Sequence, residues 1–213
     1  MGLKEPGLRG SLRNVSVGIR AIPDDLTDYT LTDPDGRISV TSSDSYEARL
    51  ADGSNDVSRL FTSYSIEDIT LSFDVEVLSA SNGAQSVIGW STTEDATLSS
   101  MSDFVGLKIY NSDSSETNPE NGFKAVNSTD VGIIGVEGFA EYSINTTYTI
   151  EFNINGNELT ITVSDSEGLV GSDTVSFDAE LDWSHIYAQA SADAGFSSPG
   201  DMDYDLSNWV NVD

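Results

Sequence analysis

The sequence predicts an all-β protein, an antiparallel jelly-roll β-sandwich preceded by an extended basic N-terminal arm. Three observations carry that prediction. Apolar and polar residues alternate with period two in one short run after another, while helical spacing of apolar residues is nearly absent. The runs are bounded by clusters of Gly, Asn, Asp and Ser, the residues that turn a chain. Positive charge gathers at the front: four of the nine Lys and Arg residues fall in the first twenty positions, beside one acid, Glu5.

The arm comes first. Residues 1–22 contain Lys4, Arg9, Arg13 and Arg20, with Val15, Val17 and Ile19 at alternate positions, and read as an anchoring segment. Residues 23–36, rich in Asp and Thr, read as a linker, and residues 37–213 as the sandwich domain. Its first strand is expected at 37–41, followed by "SYEARL", which turns Tyr46, Ala48 and Leu50 to one side. In "DITLSFDVEV" the residues Ile69, Leu71, Phe73, Val75 and Val77 share one face and Thr70, Ser72, Asp74 and Glu76 the other. "SVIGW" and "FVGLKIY" supply further strands, the latter with Val105, Leu107 and Ile109 inward, before the polar loop "NSDSSETNPENG". "TYTIEFNI" and "ELTITV" flank Asn155–Asn157, and an Asn-Gly pair between alternating runs signals a hairpin. "DTVSF", "HIYAQA" and "DYDLSNWV" complete the series, with Ile186, Ala188 and Ala190 read as core. About ten to twelve such strands fit two packed sheets of a jelly roll better than an immunoglobulin-like domain.

Charge narrows the function. Beyond residue 20 the chain holds five cations and thirty-five acids, net −30 over 193 residues, against +3 in the first twenty. That balance excludes nucleic-acid binding, which needs a basic footprint, and disfavours anionic membrane surfaces. Self-repulsion of this density loosens a compact fold unless salt screens it, the Debye length falling to about 3 Å at 1 M. With Lys only at positions 4, 108 and 124 and abundant Ser and Thr, the composition resembles that of proteins of extreme halophiles. The absence of Cys rules out disulfides and thiolate metal sites. No run is long and apolar enough to insert in a membrane, and the front lacks the apolar core of a signal peptide. Synthesis in the host cytoplasm without a signal peptide is therefore expected.

In order, "SYEARL", "EDITLSFDVEVLS", "TYTIEFNINGNELTITVSDSEG" and "DMDYDLSNWVNVD" resemble the strands of concanavalin A-like, laminin-G-like jelly rolls. The resemblance spans about residues 37–213 and implies a fold with the last strand returning beside the first; it carries no function by itself. The front, "EPGLRGSLRNVSVGI" followed by "AIPD", resembles a short segment on surface proteins of tailed viruses of halophilic archaea. That resemblance implies an attachment peptide ahead of an outward-facing domain.

Candidate sites follow from chemistry. Glycoside hydrolysis needs two carboxylates ~5 to 9.5 Å apart, and the E-x-D-x-x-E string of related jelly-roll glucanases is missing. Asp74, Glu76 and Glu151 fall on polar strand faces and His185 has no nucleophile motif around it, so no catalytic residues and no enzyme are expected. Asp201, Asp203 and Asp205 alternate and are the group to test for Ca2+, which wants six to eight oxygens. No calcium-loop signature surrounds them, and solvated acids without a cofactor are the favoured reading. Tyr110, His185, Tyr187 and Gln189 fall on polar strand faces, where they can stack on and hydrogen-bond a sugar.

The expected function is a structural subunit on the surface of a halophilic archaeal virus: a capsid turret, spike, decoration or tail fibre. Its arm docks on an acidic virion protein through Lys4, Arg9, Arg13, Val15, Val17, Ile19 and Arg20, copies associate as a trimer or pentamer, and the jelly roll faces host glycans. The alternative is a free carbohydrate-binding, lectin-like module, and behind it an enzyme acting on polysaccharide, which the missing carboxylate string disfavours.

Overall fold

A computed structural model describes residues 22–50, 58–94, 103–111, 121–127, 138–191 and 200–212. Among these described residues fourteen strands, numbered along the chain, form two seven-stranded sheets in which every neighbouring pair is antiparallel. The first sheet runs, in spatial order, β1 (Thr30–Thr32), β4 (Arg59–Ser63), β13 (His185–Ser191), β6 (Gln85–Ser91), β7 (Phe104–Asn111), β8 (Asn121–Asn127) and β9 (Ala140–Glu141). The second runs β12 (Gly168–Ser176), β11 (Glu158–Asp165), β10 (Thr147–Asn155), β5 (Thr70–Ala80), β14 (Met202–Asn211), β3 (Ser45–Leu50) and β2 (Ile38–Ser42). The closing strand β14 lies between β5 and β3, so the ends of the sandwich domain meet in the middle of one sheet.

Alternation sets the layers. In β5 Leu71, Phe73, Val75 and Val77 are fully buried while the residues between them reach outward. β10 and β11 repeat the pattern with Ile150, Phe152, Leu159, Ile161 and Val163. These side chains meet Ile88, Trp90, Val105, Leu107, Ile109 and Phe123 of the first sheet in one core. Burying each large apolar side chain contributes roughly 1.5–3 kcal/mol. A row of aromatic contacts crosses the core, from Trp90 to Phe152, Phe73 and Trp209 and on to Tyr29.

Three expectations need correction. Residues 23–36 are not a linker. Leu26 and Tyr29 are buried, Leu26–Asp28 forms a 3-10 turn capped by Asp25, and β1 pairs with β4. Apolar residues at Ile22, Leu26 and Tyr29 draw this segment in, and Ile22, at the end of the expected arm, is itself 1% exposed. The strand count is higher than expected because β1, β4, β8 and β9 are short or weakly alternating. In the β10–β11 hairpin the two-residue loop is Gly156–Asn157, with Asn155 still paired to Glu158. Gly156, at φ +63°, thus occupies the first central position, where type II′ turns take glycine.

Candidate functional site

The outward face of the first sheet is the distinctive surface of this molecule. Its five central strands, β4, β13, β6, β7 and β8, contain no Asp or Glu, in a chain with thirty-six of them. They contain Arg59, Lys108, Lys124 and His185 instead. The strands of the second sheet carry most of the acids in regular structure: Glu47, Asp74, Glu76, Glu151, Glu158, Asp165, Asp173, Asp203 and Asp205. The cause is burial. Strands β6, β7 and β8, and β13 from Ile186 to Ala190, are covered on both faces, and unpaired carboxylates do not survive there.

On that outward face Phe61, Val87, Phe104, Val126, Tyr187 and Ala190 form a second, smaller apolar cluster. The ring of Phe104 lies over Gly89 and Gly106, which face each other across β6 and β7; a Cβ on either would come within 3 Å of it. Tyr110 lies likewise over Gly122 and Gly138. Tyr187 stacks on Phe61 at 5.3 Å, and its hydroxyl donates to the carbonyls of Thr93 and Glu94 at 2.6 and 2.7 Å. Lys108 and Lys124 are direct cross-strand partners, 1% and 6% exposed.

The expected sugar-binding residues therefore fall into three environments. Tyr110 and Tyr187 are on the expected face, but are buried and packed flat rather than open. Gln189 is on the opposite face. A bulge at Ala188 inserts one extra residue against β4, so Gln189 lies opposite Leu60 and turns into the core, while Ala190 turns outward. There the Gln189 carbonyl accepts from Ser86 at 3.0 Å and from Tyr46 at 3.3 Å. Tyr46 also donates to the carbonyl of Ala188 at 2.8 Å, and Tyr204 sits 3.0 Å from both Tyr46 and Ser86. Burial pushes the Tyr46 and Tyr204 hydroxyls up, so both remain protonated members of this network. His185 alone stays partly accessible, its Nδ1 3.1 Å from the Ser184 hydroxyl.

His185 has neighbours that the sequence did not single out. Its ring lies 6.4 Å from that of Phe61, and the Arg59 guanidinium sits over the same Phe61 ring, 6.0 Å from its centroid. Arg59 donates to the Glu94 carbonyl at 3.1 Å. Arg59, Phe61 and His185 form a strip of hydrogen-bonding groups beside an aromatic ring, near the β1 edge of the sheet. "RLFTS" is too short for alternation to announce it.

The acidic triplet does not converge. Asp203 and Asp205 lie on the outward face of β14, and Asp201 precedes the strand, its N–H donating to Ser81. Asp205 is 2.7 Å from the Arg49 guanidinium, which also meets Glu47 at 3.2 Å. Among the described residues no three acidic or His side chains gather to hold a metal. A cleft of about 370 Å3 elsewhere is lined by Asp24, Asp25, Ser43, Asp44, Asn208, Trp209 and Val210. Lys4, Arg9, Arg13, Val15, Val17, Ile19 and Arg20 lie outside the described residues. Among the described residues no helix is long and apolar enough to cross a membrane.

No protein-family model and no curated protein matches the sequence. Among solved structures the chain is similar to a peanut lectin, at 14% identity and TM-score 0.52, over 85% of this chain and 92% of that one. It is similar to a seed lectin of Lotus tetragonolobus, at 8% identity and TM-score 0.54, over 87% and 94%. It is also similar to the exoplasmic/lumenal domain of VIP36 in a form bound to Ca2+ and Man3GlcNAc, at 12% identity and TM-score 0.53, over 84% and 82%. The fold is therefore an antiparallel jelly-roll sandwich like that of these lectins. At such identities the likeness is one of architecture, and function must be argued from the site.

Proposed function

We propose that this chain is a surface-displayed recognition subunit of a halophilic archaeal virus, a turret, spike, decoration or fibre, with a lectin-like body held in place by its basic arm. The separation of charge carries this reading: +3 in the first twenty residues and −30 in the remainder. A basic segment with alternating Val15, Val17 and Ile19 suits strand addition to an acidic neighbour. The acidic body suits exposure to brine. Deleting residues 1–21 tests the reading in high salt. The body should keep its β-rich circular dichroism while losing association with its particle or with itself. Retained association would overturn it.

Carbohydrate is the proposed target of the body, with no catalytic step. The fold is shared with proteins that bind sugar, and the partly accessible Arg59 and His185 set hydrogen-bonding groups beside the buried Phe61 ring. Replacing Arg59 and His185 by Ala should weaken retention on a responsive glycan about tenfold or more, with little change in melting temperature. Undiminished retention would remove the strip from the site.

A further inference from the structure

The four sheet edges are unequal. β1 and β9, which end the first sheet, have three and two residues, and β2, at one end of the second, has five. β12, at the other end, runs for nine and is exposed along most of its length, with Leu169 71% and Val170 37% exposed. A long exposed edge is a template for another strand, and proteins guard such edges with bulges and inward-pointing charges. β12 has both devices. Its pairing with β11 is bulged between Val163 and Ser164, and Asp173 lies opposite Ile161, on the core side of the strand. The Thr174 N–H donates to the Asp173 carboxylate at 2.8 Å, so a side chain and not a strand satisfies it.

A guard of this kind discriminates by sign. Residues 158–182 hold seven acids and no Lys or Arg, so an acidic strand is repelled there and a basic one attracted. The basic strand-like segment of this chain is its arm, where Arg13 shares one alternating face with Val15, Val17 and Ile19. The Val15–Ile19 run cannot lie along the β12 edge of its own chain. Pro23, beside buried Ile22, accepts from Trp209 of β14, and Leu26 bonds to Ser43 between β2 and β3. A strand beyond β12 lies five spacings from β14, roughly 24 Å, whereas the three residues from Ile19 to Ile22 span at most about 11 Å.

We propose that the arm of one chain adds as an extra strand to the β12 edge of a second copy. This rests on the reading of residues 1–22 as an anchor and names the acidic neighbour as another molecule of the same protein. Val15, Val17 and Ile19 continue the core-side row of Gly171 and Val175, Arg13 joins the face of Asp173, and an arm carbonyl takes over the Thr174 N–H. The contact is head-to-tail, so it closes into a ring or runs on as a filament.

The lack of Cys makes the test clean. Full-length Ser16→Cys protein is mixed under mild oxidation, in high salt, with full-length Ser172→Cys or Thr174→Cys protein, whose new thiols lie on the outward face of β12. Mixed disulfides should far exceed those formed with Ser39→Cys on β2. Asp173→Lys should weaken self-association about tenfold. Equal or absent cross-linking to β12 and β2 would overturn the proposal. If deleting residues 1–21 abolishes assembly while no β12 cross-link forms, the arm is an anchor for a different partner and only this inference falls.

Discussion

Gln189 carries the clearest prediction at the scale of single residues. Its side chain joins Tyr46, Ser86 and Tyr204 in a polar network sealed between the sheets. Gln189→Ala leaves the buried Ser86 hydroxyl without its nearest carbonyl acceptor and should cost about 1–3 kcal/mol, read as a shifted urea midpoint at unchanged slope. A loss under about 0.5 kcal/mol would mean that the network does not hold the sheets in register. Asp33 gives a pH signature. Partial burial pushes its carboxyl up, but the N–H groups of Ile38, Arg37 and Gly36 and the Ser58 hydroxyl pull it further down, below its ordinary value of 3.8. The unfolded chain then binds this proton first, so the contribution is complete above that value and disappears as pH falls through the lower folded one. The stability gap between the native chain and Asp33→Asn should therefore be widest near neutrality and narrow in acid; a gap that widens in acid would contradict this assignment. Neither role was legible in the sequence. Alternation places Gln189 outward because it cannot show the bulge at Ala188, and Asp33 falls in the segment that reads as a linker.

At the scale of elements, the strongly periodic strands were legible and the short ones were not. β5, β10 and β11 bury alternate side chains as their sequence requires, because one face meets the core and the other water. β6, β7 and β8 are covered on both faces and β4 in part, so polarity there no longer reports direction. That is why Tyr110 and Tyr187 were legible by face but not by accessibility, and why Arg59 and Phe61 were missed. The glycines of β6 and β7 are the price of laying Phe104 flat on the sheet. A Cβ at Gly89 would sit 2.2 Å from the Val105 carbonyl oxygen, and one at Gly106 2.2 Å from that of Ile88. Gly89→Ala should cost about 1–3 kcal/mol or more through backbone displacement, whereas a Cβ at Gly156 meets nothing within 4 Å and Gly156→Ala should cost about 1–2 kcal/mol for its left-handed backbone alone. Thermal melting of the pair decides the order, and a reversed ranking would contradict the packing described for Phe104.

At the scale of the whole molecule, charge organises everything proposed. Acids crowd the outward face of the second sheet, where hydroxyls and amides are among their partners: Thr149 donates to Asp74 at 2.6 Å, Asn208 to the same carboxylate at 2.6 Å, and Thr147 to Glu76 at 3.3 Å. Such bonds leave the net charge in place. This distribution was legible as a number in the sequence, but its division between an acidic sheet and one whose five central strands carry no acid emerges only from strand order. The central claim is that the body is built to face brine while its arm meets an acidic neighbour. It is tested most directly by melting the full chain from about 3 M down to about 0.1 M salt. The account predicts a melting temperature that falls steadily as screening is withdrawn. A melting temperature unchanged across that range would contradict it.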